Sequence, residues 1–262
     1  MNPQEIQALI QENETLKNEN KALKTQIAES RRTIRSTFGP YLTDEVLEAM
    51  QKQENRLVIG GTRQRVTMLF SDIRNSTALS EEMPSDGFIR MLNHYLKEMI
   101  ELINAWQGNI LDFVGDAIVV VFGAPRPIES ASLNAVACAV SMQRRMVAVN
   151  EWNRQQHFPD ISMGIGIHTG DAILGNIGST TRTKYDMIGR NVNLTSRIES
   201  VAAGGQILIT PDVLQEVGGN VHIREGGDQF VELKGIRGPV HLHEVIGFGK
   251  RMIPGYEKSD PE

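Results

Sequence analysis

Hydrophobic and polar positions fall into two regimes along the chain. Over residues 4–36, Ile6, Asn13, Asn20, Ile27 and Ile34 recur every seven residues, and Leu9, Leu16, Leu23 and Ser30 follow three places later. Glu, Lys and Gln fill most remaining positions. Isoleucine at a with leucine at d predicts a parallel two-stranded coiled coil, whose buried Asn residues fix register at some cost in stability. The competing reading is a lone amphipathic helix docked on its own domain, which would want a wider apolar stripe. Further along, short apolar runs and amphipathic stretches alternate. They predict a strand over 66–71, a helix over 86–106, a hairpin over 110–122 and a helix over 130–153. Strands over 161–168 and 172–177, a helix over 191–202 and a strand over 206–209 follow. A short helix and strands near 221–224, 229–233 and 240–246 complete the pattern.

The heptads fade after Ile34, and Phe38-Gly39-Pro40 breaks the helix. Thr43–Met50 reads as a short capped helix and Gly60-Gly61 as a hinge. The expected organisation is a coil over 1–37, a linker over 38–61, a globular domain over 62–248 and a C-terminal tail over 249–262, charged from Glu257 to Glu262. The globular part reads as an α/β sandwich of the α+β kind, with helices covering one face of a mainly antiparallel sheet.

Composition narrows the class. The 262 residues are 40% hydrophobic and 23% charged, an ordinary soluble balance, and the net charge of −5 argues against a general nucleic-acid binder. The single cysteine, Cys138, excludes an intrachain disulfide and a cysteine-rich zinc site. It reads as a small core residue in a reducing compartment, and a cytoplasmic location is expected. No apolar run approaches the ~18 residues of a membrane span, and the start does not read as a signal peptide. The chain is compatible with the cytoplasmic end of a longer sensor protein.

Two carboxylates are placed suggestively. In Phe113-Val114-Gly115-Asp116-Ala117-Ile118 an acid sits in a two-residue turn between apolar runs, so a hairpin tip presents Asp116. Val66–Ile73 repeats the pattern of a buried strand ending in an acid, Asp72. Taken alone, each reads better as a turn or cap residue. Side by side they would repel unless a proton or a hard cation such as Mg²⁺ lay between them, so the pair predicts a metal and phosphate site.

A third stretch, Tyr185-Asp186-Met187-Ile188-Gly189-Arg190-Asn191-Val192-Asn193-Leu194-Thr195-Ser196-Arg197, completes a combination that resembles the catalytic domain of the class III adenylate and guanylate cyclases over roughly residues 60–247. The resemblance implies a ferredoxin-like core and cyclisation of a nucleoside triphosphate, with pyrophosphate as leaving group. It implies two divalent ions, Mg²⁺ or Mn²⁺, held by Asp72, Asp116 and the carbonyl of Ile73. One would acidify the attacking hydroxyl and the other would hold the triphosphate. Asn193 and Arg197 lie four apart and share a helix face; by resemblance Asn193 orients the ribose and Arg197 stabilises the pentavalent phosphate. Lys234 matches the triphosphate-binding lysine, and Arg182 is a second candidate; either reads otherwise as a solvated charge.

The base-selecting positions point in opposite directions. Adenylate cyclases of this family usually carry Lys four residues before the second metal Asp. Here that position is Asp112, an acceptor suited to guanine N1–H and N2–H₂. Asp186, in contrast, fits the adenine pattern as acceptor for the N6 amino group. ATP is the leading substrate and GTP, or relaxed purine use, the alternative.

In the family the metal ligands and the Asn/Arg pair reach one nucleotide from different subunits. Because this chain holds both sets, a homodimer is implied, and the coil predicts the same. Two readings of other classes remain. One is a catalytically silent dimeric signalling module, opposed by the presence of Asp72, Asp116, Asn193 and Arg197. The other is a coiled-coil scaffold with an incidental globular head, which leaves the three motifs as coincidence.

Overall fold

The computed structural model describes residues 2–38, 59–179 and 181–256. They belong to two compact units, divided near residue 55. The first contains one uninterrupted 36-residue helix, α1 (Pro3–Phe38), about 54 Å long at 1.5 Å per residue. Ile6, Leu16, Leu23 and Ile27 of the predicted seam are all exposed in the single chain. The capped helix expected at Thr43–Met50 lies outside the described residues.

The second unit begins with β1 (Gly60–Ile73), followed by α2 (Ser76–Glu82), α3 (Ser85–Ala105), β2 (Asn109–Val114), β3 (Ala117–Phe122) and α4 (Ala131–Gln155). Next come β4 (Met163–Gly178), β5 (Thr183–Ile188), α5 (Arg190–Val201), β6 (Ile207–Ile209), α6 (Pro211–Val217), β7 (Val221–Ile223), β8 (Gln229–Glu232), β9 (Pro239–Phe248) and β10 (Arg251–Met252). The strands form one sheet in the order β10-β9-β6-β4-β1-β3-β2, with β5 also on β4 and β7 and β8 on β9. Pairing is antiparallel except between β4 and β6. This is a mixed α+β fold built on a mainly antiparallel sheet.

Alternation along β1 and β4 sets the two faces of the sheet. Leu69, Ile73, Met163, Ile165 and Ile167 join the main core beneath α3 and α4, with Met91, Tyr95, Met99, Ile103, Val136 and Val140. Val213 and Val217 of α6 enter the same core. Val66 and Met68 point the other way, into a second cluster with Ala172, Leu174 and Met187. On that second side lies α5, whose Ile198 packs with Leu208, Leu233 and Leu242.

Helices therefore occupy both faces, where a single covered face was expected. The reason is local: a Cβ on Gly166 would lie 2.4 Å from the Glu199 nitrogen, and one on Gly164 2.6 Å from the Ala202 oxygen. The two glycines let α5 approach β4 where any side chain would hold it off.

Three other expectations change. Gly60-Gly61 opens β1, opposite Asn176 and Gly175, and is no hinge. The two strands expected at 161–168 and 172–177 are one 16-residue strand, because β1 starts early and pairs with it throughout. The short polar helix α2 and the strand β5 have no counterpart in the periodicity.

Candidate active site

Asp72 is the penultimate residue of β1 and lies on the α5 side, half-buried. Pairing of Ser71 with Ile118 brings the β2–β3 turn alongside the end of β1. That turn is Gly115-Asp116, with Gly115 at φ +67, a conformation that favours glycine. The Ile73 amide donates a hydrogen bond to Asp116 Oδ2 at 2.9 Å. The two predicted carboxylates are thus neighbours in space. Burial, together with the hydrogen bond and charge of Asp116, pushes the Asp72 carboxyl up to about 7. A carboxylate pair that retains a proton near neutrality has the donor set and the charge to take a hard divalent cation in that proton's place.

Two residues of this site were not anticipated. Arg74 donates to the Asp72 carbonyl at 3.1 and 3.3 Å, and its Nη2 lies 3.8 Å from Asp72 Oδ2. It also pairs with Glu199 of α5. Burial raises the Glu199 carboxyl, and Arg74 opposes that shift. The available signal for Arg74 was its place directly after Asp72-Ile73. Glu199 carried none, because an acid near a helix end reads as surface.

Asn193 and Arg197 are exposed, and among the described residues neither side chain has a hydrogen-bonding or ionic partner. Glu199 reaches Arg74 beside Asp72. Arg197, two residues earlier and therefore about 200° round the helix, points away from its own Asp72. Asn193 lies within about 40° of Arg197 by the same count. One chain brings the two carboxylates together and leaves the Asn/Arg pair facing outward. Lys234 is exposed in the β8–β9 turn, and Arg182 is exposed where β4 turns into β5.

Asp112 and Asp186, the two residues expected to face the base, are brought together by a residue that sequence reading missed. Lys184 Nζ lies 2.6 Å from Asp112 Oδ2 and 3.4 Å from Asp186 Oδ2. Lys184 and Asp186 are two apart on β5 and share a face; Asp112 comes from β2 beside a register shift. Burial pulls the Lys184 ammonium down, but the two carboxylates outweigh it and leave it above its ordinary value. The cluster offers one donor flanked by two acceptors.

Fold and site together define a class III nucleotidyl cyclase catalytic domain. Residues 60–247 match the model of the adenylate and guanylate cyclase catalytic domain, and the chain belongs to that family. The guanylyl cyclase Cya2 is 40% identical, with a TM-score of 0.72 over 74% of this chain and all of that one. The adenylyl cyclase CyaB from P. aeruginosa is 34% identical, with a TM-score of 0.69 over 73% of this chain and 98% of that one. Adenylate cyclase 1 of Rhizobium meliloti is 30% identical over 213 residues, 80% of this chain and 32% of that protein. The chain spans between 32% and 39% of the length of the first curated relatives it matches. No described helix is long and apolar enough to cross a membrane.

Proposed function

We propose that the chain converts ATP to 3′,5′-cyclic AMP and pyrophosphate at sites shared between two copies. The ribose 3′-oxygen attacks the α-phosphorus, the pyrophosphate oxygen leaves, and the hydroxyl proton is lost. The approach of Asp116 to the end of β1 beside Asp72 carries this reading. Asp72 and Asp116 would hold the divalent ions, which when bound neutralise the triphosphate and acidify the attacking hydroxyl.

The direction of Arg197 supports the shared site. Its planar fork suits the charge that develops on phosphorus, yet it faces away from its own carboxylate pair. A second copy would bring it to the metal side, with Asn193 positioning the ribose and Lys234 and Arg182 drawing in the triphosphate. The exposed seam of α1 supports a parallel coil joining the same two chains, over the expected coil of residues 1–37.

For the purine, Lys184 supports the adenine reading. An ammonium beside Asp186 supplies a donor for adenine N1 next to an acceptor for its N6 amino group, and Asp112 holds that lysine in place. Guanine is the second reading: Asp112 would accept from N1–H and N2–H₂ while Lys184 donates to O6. The related solved structures include both a guanylyl and an adenylyl cyclase.

The test is to incubate the purified chain with ATP or GTP and Mg²⁺ or Mn²⁺ and identify the product. Cyclic AMP formed faster than cyclic GMP supports the reading, and the reverse establishes the guanine alternative. Absence of any cyclic nucleotide from the folded dimer would favour the silent module.

A further inference from the structure

On the opposite side of the sheet from Asp72, the sequence His241-Leu242-His243 runs along β9. Residues i and i+2 of a strand present their side chains on one face. His243 pairs with Ile209 of β6, whose side chain belongs to the core beneath α3 and α4. The β8–β9 register pairs Phe230 with His241 and Gln229 with Leu242, which sets Asp228 opposite His243. An acid therefore faces a His-X-His pair across two adjacent strands.

The contacts are close. His243 Nδ1 lies 2.8 Å from Asp228 Oδ1, and His241 Nε2 lies 3.6 Å from Asp228 Oδ2. One donor atom from each residue falls within 4.8 Å of the others. The two imidazoles are 4.3 Å apart between centroids. Tetrahedral zinc, with ligands at 2.0–2.1 Å, separates its ligand atoms by about 3.3 Å. The two imidazole–carboxylate separations, to different oxygens of Asp228, fall either side of that value and every pair of ligand atoms lies within 4.8 Å, so rotation of the side chains toward a common centre would close the site. Phe230 stacks on His241 at 4.5 Å and fixes its ring plane, and the His243 side chain is only 8% exposed.

We propose that Asp228, His241 and His243 form a second metal site, for a first-row transition ion of the zinc type. Two imidazoles and one carboxylate are a poor set for Mg²⁺, which prefers an all-oxygen shell, and a good one for Zn²⁺. Three protein ligands leave a fourth position for water. The ion would clamp the open end of the hairpin whose far end carries Lys234, joining the β7–β8 loop to β9. It plays no part in the catalytic carboxylate pair, which lies on the other face.

The test titrates the untagged, chelator-treated chain of 262 residues with Zn²⁺ in excess Mg²⁺, by calorimetry. Saturable uptake of one ion per chain is expected, and Co²⁺ is expected to give the intense visible bands of a four-coordinate site. His241→Ala and Asp228→Ala alter exposed or half-exposed side chains, and each is expected to weaken binding by at least about tenfold. Asp72→Ala is expected to leave it unchanged. Absence of saturable uptake by the parent, or parental affinity in both folded site variants, would overturn the proposal. Loss of the Zn²⁺ signal in Asp72→Ala would overturn it too, by assigning the ion to the carboxylate pair.

Discussion

The amide of Ile73 donates to Asp116 Oδ2 at 2.9 Å, so the tip of the β2–β3 hairpin is tied to the last residue of the central strand. Asp116 owes its position to a backbone bond, and Asp72 owes its own to strand register. Replacing either carboxylate by Ala removes a proposed metal ligand and no core side chain. Each variant is expected to lose ~100-fold or more in turnover while remaining a dimer by light scattering. Near-parental activity in either would refute the metal assignment.

The direction of Arg197 on α5 leads to a complementation test. Asp72→Ala and Arg197→Ala homodimers are both expected to be inactive. Mixed and allowed to exchange subunits, they would form heterodimers with one site that lacks both groups and one intact site. Activity is expected to reappear, up to about half the parental value per heterodimer. Silence despite exchange shown by labelled subunits would exclude the shared site.

The carboxylate pair was legible because strand and turn patterns carry their own period, and an acid at the end of an apolar run stands out. Helical spacing put Asn193 and Arg197 on one face of α5, but only the resemblance to the cyclases gave that face a role; spacing alone reads as a solvated polar surface. Lys184, Arg74 and Glu199 were hidden because their meaning lies in contacts between residues far apart in sequence: Lys184 meets Asp112 across β5 and β2, and Arg74 meets Glu199 across β1 and α5. The helix α5 itself was legible over 191–202, but its seat on the second sheet face was not, since that depends on the absence of side chains at Gly164 and Gly166. The long β1–β4 arm was read short because its first residues, Gly60–Arg65, are polar and are strand only through their pairing with 171–176.

Glu216 of α6 gives the domain a pH dependence. Burial opposes its charge, but hydrogen bonds from Ser132, Arg65 and Thr169 outweigh that and hold the carboxyl below the ordinary glutamate range. A depressed folded-state pKa stabilises the fold above the unfolded value and loses that contribution as pH falls through the folded value. Glu216→Gln is expected to cost about 1 kcal/mol at neutral pH, discounted for partial exposure. Urea melts at pH 7 and near pH 3.5 would check this. A gap between parent and variant that fails to narrow in acid would disprove the linkage.

The coil has its own prediction. Leu16 and Leu23 are exposed on the single helix, and lysine at both positions would place charge in the proposed dimer seam. Activity per chain is expected to fall most at low protein concentration and to recover as concentration rises, by mass action. A loss independent of concentration would show that the helix serves something other than dimerisation.

Purine choice follows from the Lys184 bridge. If the Lys184 ammonium donates to adenine N1, Lys184→Met leaves a buried ring nitrogen unpaired and frees two carboxylates that were sharing one cation. Loss of such a bond costs on the order of 1–3 kcal/mol, so the ratio of kcat/KM for ATP over GTP is expected to fall by ~10-fold or more. Asp112→Ala acts in the opposite direction. It removes the acceptor available to guanine N1–H while Asp186, 3.4 Å from Nζ, still holds the lysine, so the ratio is expected to rise. The two variants together separate the readings, because a guanine reader would lose its GTP activity with Asp112→Ala and an adenine reader its ATP activity with Lys184→Met. Unchanged ratios in both, in variants shown to be folded and dimeric, would remove this cluster from base recognition altogether.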